Sequence, residues 1–246
     1  MKILGIDIGG SAVKGAPVDT RTGKLLKERH RIATPKILKP EDLAKVVAEL
    51  VAHFKWTGPI GCGFPGVVRH GRVSFVGNLH EDFVGCDVAT LFAKATGRNV
   101  TDWSVINDAD AAGLAEIHFG AGKGVKGTVL MLTFGTGVGS GLFVDGILYP
   151  NSEFGQLKFK GKRAELTVSA AAKERKKWSY KKWSHHVDDY LKQVEGVLRP
   201  ELIVIGGGIS EDHEKWFKHV KIDAPMVPAK FFNEAGIVGA ALSALK

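Results

Sequence analysis

The stretch Lys2-Ile-Leu-Gly-Ile-Asp-Ile-Gly-Gly-Ser-Ala-Val-Lys-Gly15 decides how the rest of the chain is read. Ile3, Leu4, Ile6 and Ile8 form an apolar run of strand length, and Asp7 interrupts it. An ionised carboxylate inside a strand core is costly unless a cation or hydrogen-bond donors meet it. Gly9-Gly10-Ser11 follows at once, and two glycines allow a turn whose bare amides make an anion cradle. Val13, Ala16 and Val18 then resume a period of two, so the spacing predicts two antiparallel strands joined by that turn. A carboxylate at the mouth of a hairpin with amides at its tip suits a metal-bound phosphate. An ordinary hairpin with an unusual Asp is the plainer alternative.

The device recurs downstream. Residues 128–134 read as a strand, Gly135-Thr136-Gly137 opens a glycine-rich turn through Gly141, and residues 142–148 read as the return strand. Two related subdomains facing a cleft are expected. A third glycine turn, Gly206-Gly207-Gly208, follows the buried strand Leu202-Ile-Val-Ile205. A helix over 210–218 beginning there would offer its N-terminus to an anion or nucleotide.

Between these turns the pattern is that of an α/β protein. Residues 24–33 read as a strand with polar alternation, and 41–56 as an amphipathic helix with Leu43, Val46, Val47, Leu50, Val51 and Phe54 on one stripe. Ile60-Gly-Cys-Gly-Phe64 is a short buried strand turned by Pro65-Gly66. Gly61, Gly63 and Gly66 spell GxGxxG, but Pro65 and the strand-like Val67-Val68 stand where a dinucleotide fingerprint needs a helix. Residues 71–76 read as a hairpin return and 86–95 as a helix closed by Gly97. A strand ending near Ile106 meets a helix over 109–119, so Asn107 and Asp108 sit at the junction. Strand ends of this kind bind ligands in open α/β sheets, which suits Asp108 as a base; either residue could equally be a helix cap. Glu153 and Gln156 lie in a glycine-containing loop soon after the second turn. Further helices are expected over 169–177, 180–198 with Ser179 as cap, and 233–245, with a last strand over 226–230.

With 246 residues the chain makes one large or two modest domains, and its 44% hydrophobic content supports full cores. No apolar run approaches the ~20 residues of a membrane span, and the N-terminal run is too short and too charged for a signal peptide. Cys62 and Cys86 cannot build a disulfide framework or a four-cysteine zinc site, and read as free thiols of the cytoplasm. The histidines show no metal spacing; His185-His186 read as surface residues. The net charge of +8 is local, because residues 158–182 hold ten Lys or Arg against two Glu. Such a patch suits a polyanionic partner. A solvated helix face is the commoner explanation, though Trp178, Tyr180 and Trp183 are interleaved with the charge here.

Taken in order, Gly5-Ile-Asp-Ile-Gly-Gly-Ser, Asn107-Asp-Ala-Asp, Leu132-Thr-Phe-Gly-Thr-Gly-Val-Gly-Ser, Glu153-Phe-Gly and Ile203-Val-Ile-Gly-Gly-Gly resemble the ROK sugar kinases of the actin/hexokinase superfamily. Ser11-Ala-Val-Lys14-Gly15, Gly63-Phe-Pro-Gly66 and Ser179-Tyr-Lys-Lys-Trp183 are similar to its polyphosphate-using glucokinases. The resemblance implies two ribonuclease-H-like domains with a cleft between them: a small one from 1–107 plus 233–246 and a large one from 108–232. It implies phosphoryl transfer to the 6-hydroxyl of glucose with Mg²⁺, in a homodimer. By position, Asp108 matches the catalytic base. Asn78, Asn107 and Glu153 match sugar-binding positions, with Gln156, Pro65 and Gly66 beside them. Asp7, as the metal candidate, and Gly9, Gly10 and Ser11 match the first phosphate loop; Thr136 and Gly137 match the second; Gly207 and Gly208 match the third. Lys14 is a further candidate near the reacting end. Lys158, Lys160, Lys162 and Arg163, with Lys176, Lys177, Lys181 and Lys182, would hold the tail of a polyphosphate. Gln156 stands where many relatives have His, which puts sugar choice or rate in question. The cysteine-rich zinc motif of many relatives is absent, so no zinc site is expected.

Three other functions share parts of this pattern. An ATP-dependent kinase would use the same fold. A sugar-responsive repressor would carry a helix-turn-helix ahead of the first glycine strand, where here Met1 abuts it. A nucleic-acid binder using the basic patch would leave three glycine turns and Asp108 unexplained, so no specific nucleic acid and no membrane is expected among the partners.

Overall fold

The computed structural model describes residues 1–34, 38–77 and 79–245. They divide into two units, Met1–Ala115 with Glu234–Lys246, and Glu116–Asn233.

In the first unit β1 (Lys2–Ile8) and β2 (Ala12–Asp19) pair antiparallel with Asp7 opposite Lys14, as the opening stretch predicts. Residues 24–33 are not one strand. β3 (Lys24–Leu25) and β4 (His30–Ala33) both pair with the outer side of β2. Pro17 accepts the Leu26 N–H at 2.7 Å but has no N–H to return, so the ladder lapses between them. α1 (Pro40–His53) opens on proline with Glu41 and Asp42 in its first turn. It stops short of Trp56 because Lys55 turns to φ 48°. β5 (Ile60–Phe64) runs parallel to β1. β6 (Gly66–Arg69) and β7 (Arg72–Val76) form a hairpin about His70 and Gly71, whose φ values of 51° and 76° make the mirror-image turn that suits strand twist. α2 (Val88–Thr96) is capped by Asp87, which accepts the Thr90 N–H at 3.0 Å, and ends at Gly97. β8 (Trp103–Asn107) joins β5 in parallel and passes directly into α3 (Asp108–His118). The sheet order is β3-β2-β1-β5-β8, with β4 also on β2. The parallel strands β1, β5 and β8 therefore end along one edge.

In the second unit β9 (Thr128–Phe134) pairs antiparallel with β10 (Val138–Val144). The return strand stops at Val144 rather than continuing to Leu148. Asp145 and Gly146, at φ 50° and 80°, make a two-residue turn into β11 (Ile147–Tyr149); the Asp-Gly pair is the signal for it. β12 (Lys158–Phe159) and β13 (Lys162–Arg163) form a small hairpin. The helix expected over 169–177 is two, α4 (Glu165–Val168) and α5 (Ala170–Arg175), because Ser169 leaves the helical region to cap α5 through the Ala172 N–H. α6 (Tyr180–Leu198) is capped by Ser179 as predicted, with Trp183, Val187, Tyr190, Leu191 and Val194 buried. β14 (Leu202–Gly206) runs parallel to β9, and β15 (Met226–Pro228) parallel to β14.

The helix expected over 210–218 is broken. Only α7 (His213–Trp216) is α-helical, between tighter turns at Gly208–Asp212 and Phe217–His219. Aromatic packing overrides helical continuity here: Trp216 is buried against Phe134 and Trp183, and its indole N–H reaches back to the Ile209 carbonyl at 3.2 Å. The chain ends in α8 (Ala235–Ser243), in the first unit. A Cβ on Gly5 would collide with the Ile237 carbonyl and one on Gly61 with that of Ala240, so α8 lies backbone to backbone on β1 and β5. Among the described residues no helix is long and apolar enough to cross a membrane.

Candidate active site

The parallel edge of the first unit gathers the candidates predicted there. Asp7 lies opposite Gly63, and Phe64 opposite Asn107, so the ends of β1, β5 and β8 bring Asp7, Pro65-Gly66 and Asp108 to one rim. Asn107 is buried and does most of the capping: its Oδ1 accepts the N–H groups of Ala109 at 2.8 Å and Asp110 at 3.1 Å. Its amide donates to the Gly66 carbonyl at 3.2 Å and so fixes the Pro65-Gly66 turn. Asp108 is half-buried and shares the Ala109 N–H at 2.9 Å. Asn107 thus carries most of the cap, and Asp108, the base candidate, stands next to it in the chain.

Asp7 is half-buried, with the Lys14 ammonium 3.6 Å from its carboxylate. Burial pushes its pKa up and Lys14 pulls it back down. A Cβ on Gly236 would come within 2.7 Å of the Asp7 carboxyl carbon, so that glycine leaves room for the acid. Gly10 and Ser11 are exposed at the hairpin tip. Asn78 falls outside the described residues.

In the second unit the second and third glycine turns leave adjacent parallel strands, with Gly206 of β14 opposite Thr133 of β9. Thr136 is exposed, and the Gly135 N–H bonds the Gly137 carbonyl at 3.0 Å. Gly207 has φ 81°, and a Cβ on it would lie 2.5 Å from the Phe134 carbonyl. No other residue type fits there without strain.

The Glu153 loop is pinned by groups that the sequence did not single out. Ser140 donates to the Ser152 carbonyl at 2.6 Å and accepts the Phe154 N–H at 2.9 Å. Tyr190 on α6 donates to the Phe154 carbonyl at 3.1 Å. The only hint was a serine at an inward position of a glycine-rich strand. Glu153 is half-buried, and burial together with the charge of Glu165 pushes its pKa up to about 7. Gln156 donates to Glu165 at 3.3 Å and accepts from Arg163 at 3.4 Å. Arg163 is thus tied to the sugar-side candidates, and pairs with Glu165 at 3.3 Å.

The basic segment meets the second glycine turn at α5, where the Ala171 N–H bonds the Gly135 carbonyl at 3.1 Å. Lys158, Lys160, Lys162, Lys177, Lys181 and Lys182 are exposed, and Lys176 is half-buried with its ammonium 4.2 Å from the Trp178 ring centre. Lys160 pairs with Asp189 at 2.6 Å. The interleaved aromatics divide: Trp183 belongs to the core with Phe134 and Trp216, and only Trp178 and Tyr180 lie among the charges.

Among the described residues no group of three or more His, Cys, Asp or Glu could hold a metal. Mg²⁺ commonly takes one or two carboxylates and completes its shell with water and substrate phosphates. Asp7 supplies a carboxylate of the kind that donor set requires.

The sequence model of the ROK family matches residues 3–155. The chain belongs to the ROK family. The polyphosphate glucokinase of Mycobacterium tuberculosis (strain CDC 1551 / Oshkosh) is 44% identical over 243 residues, 98% of this chain and 91% of that one. The structure of the inorganic polyphosphate/ATP-glucomannokinase of Arthrobacter sp. strain KM matches with a TM-score of 0.94 at 44% identity, over 99% of this chain and 98% of that one. A ROK family glucokinase from Streptomyces griseus, solved with glucose and AMPPNP, matches at a TM-score of 0.83 over 98% of both chains; at 21% identity it shows the fold alone. The two sheet-and-helix units are those of the ROK sugar-kinase fold.

Proposed function

We infer that this ROK protein is a glucokinase that moves the terminal phosphoryl group of inorganic polyphosphate to the 6-hydroxyl of glucose. The observation that carries the reading is the 44% identity, over nearly the whole chain, to a relative with that activity in its name. The geometry supports a division of labour among this chain's own residues. Asp108 accepts the hydroxyl proton as the sugar oxygen bonds the terminal phosphorus, and the bridging P–O bond to the rest of the donor breaks. General-base help of this kind is worth ~10²–10⁴-fold. Asn107, Glu153 and Gln156 orient the sugar hydroxyls. The glycine-turn amides and the lysines stabilise charge on the phosphate oxygens, where most of the acceleration of phosphoryl transfer arises.

Kinases of this kind depend on a divalent metal. We propose Mg²⁺, held by Asp7 and the donor's oxygens, where it would neutralise phosphate charge. The reading goes with a cytoplasmic homodimer, whose mass light scattering would check. The test of the activity is formation of glucose 6-phosphate, coupled to its oxidation, with long-chain polyphosphate against ATP. Product from polyphosphate is expected; product from ATP alone would replace the donor.

A second donor has support of its own. The Arthrobacter relative is named for both polyphosphate and ATP, and for mannose beside glucose. The third turn carries Gly207, at φ 81°, followed by Gly208. ATP and mannose are therefore the first alternative substrates to assay.

A further inference from the structure

His186, on α6, packs against the basic segment. Its ring stacks on Trp178, with centroids 4.4 Å apart and planes 24° from parallel. The opposing cations come from three places. Lys176, beyond α5, stands 4.2 Å from the Trp178 ring centre, and Lys182, on α6, stands 5.7 Å from it. Lys160, between β12 and β13, puts its ammonium 3.4 Å from His186 Nδ1. Against them stands Asp189, a turn further along α6, which accepts from Lys160 at 2.6 Å.

An ammonium facing Nδ1 favours the neutral ring, whose lone pair can accept from it. Burial and then the charges of Lys160 and Lys176 keep its pKa below the usual histidine range, with Asp189 opposing and Lys182 adding to them. Stacking on Trp178 holds the ring in place whatever its charge.

We propose that His186 is a proton-linked member of the polyphosphate site: a bound phosphate chain screens Lys160, Lys176 and Lys182, and the imidazole then takes up a proton and adds its own charge to the grip. The proposal rests on polyphosphate being the donor. Atoms balance simply, since one proton passes from solvent to Nδ1 as Lys160 turns from the imidazole to a phosphate oxygen. Polyphosphate affinity then rises as pH falls, by no more than about tenfold per pH unit, because one proton is linked. Inner phosphates of a long chain stay ionised throughout, so the donor itself contributes little to that slope.

The test is calorimetric titration of the whole protein with long-chain polyphosphate near neutral pH, in two buffers of different ionisation enthalpy. Uptake of a fraction of one proton per site is expected in the parent protein and in His185→Gln, whose ring lies near His219 instead. His186→Gln should bind with no uptake and a flat pH profile. His186→Lys, with a fixed charge, should bind more tightly than the parent at pH 8 and also without uptake. Binding by the parent with no proton uptake, or uptake that survives in His186→Gln, overturns the proposal. Failure of the parent to bind polyphosphate at all overturns the donor instead.

Discussion

Each unit carries one strand, glycine turn and strand, and the two copies differ in what the shared backbone presents. β1 ends with Asp7 opposite Lys14, a charged pair at the mouth of its turn. β9 ends with Thr133 and Phe134, and the Phe134 ring stands edge-on to Trp183 and Trp216. Both turns close on one short bond, Gly9 N–H to the Ala12 carbonyl at 2.9 Å and Gly135 N–H to the Gly137 carbonyl at 3.0 Å. Neither needs a left-handed glycine. A Cβ on Gly10 or Gly135 would meet nothing within 4 Å, so these glycines leave the backbone bare rather than bend it. The lesson is that one bare backbone turn is built twice, while the side chains set around it differ. The first unit adds acids, Asp7 and Asp108. The second brings α5, part of the basic segment, against its turn through the bond from the Ala171 N–H to the Gly135 carbonyl.

The largest effect should come from the acids. Asp108→Asn is expected to lower kcat about 10²–10⁴-fold, the range of a lost general base, with polyphosphate affinity unchanged. A variant that turned over normally, or that lost donor binding instead, would erase the division between the units. Next in size is salt. If a polyphosphate neutralises about five cations, its Kd should rise about a hundredfold between roughly 50 and 200 mM salt, by analogy with single-stranded nucleic acid. Replacing both Lys158 and Lys181 with Gln should lower the slope of log Kd against log salt by about one to two. The same change at Lys24, in the first unit, should leave it alone. A flat salt response would point to a compact nucleotide donor.

Turn glycines sharpen the contrast further. Gly207→Ala forces an L residue to φ 81° and sets its Cβ 2.5 Å from the Phe134 carbonyl. A loss of about 1–3 kcal/mol in stability is expected, read as a lower midpoint in thermal or urea unfolding. Gly10→Ala should unfold like the parent and show its effect only as a raised KM for the donor.

The parts of the fold that the sequence shows plainly are those with a local cause. The opening hairpin follows from apolar alternation broken by glycines, and α6 from its apolar stripe and Ser179. Asn107 and Asp108 fall at a strand-to-helix junction that composition alone locates. What the sequence hides is set by partners distant along the chain. Pro17 breaks a strand that lies beyond it by denying one hydrogen bond to Leu26. Trp216 bends its helix because Phe134 and Trp183 wait for it. His186 reads as a surface residue until Trp178 and Lys160 are seen against it. The raised pKa of Glu153 comes from burial and then from Glu165, and neither is visible in the sequence, where lysines surround Glu165.

That carboxyl gives the smallest effect and the one that separates the two substrates most cleanly. Burial and the Glu165 charge raise the Glu153 pKa to about 7. Above that value the group is a carboxylate, which accepts hydrogen bonds from sugar hydroxyls; below it, protonation removes part of that capacity. Glucose KM should therefore rise as pH falls from 8 to 6, by at most about tenfold per unit for one group. Polyphosphate affinity, governed by His186, should move the opposite way over the same interval. Rates measured with glucose limiting and with polyphosphate limiting would then slope in opposite senses near neutrality. Glu153→Gln should flatten only the glucose profile. Glu165→Gln, by removing the like charge, should shift its midpoint to lower pH, although Arg163 and Gln156 lose a partner with it. Profiles that slope the same way, or a glucose midpoint that stays put in Glu165→Gln, would mean that Glu153 does not face the sugar.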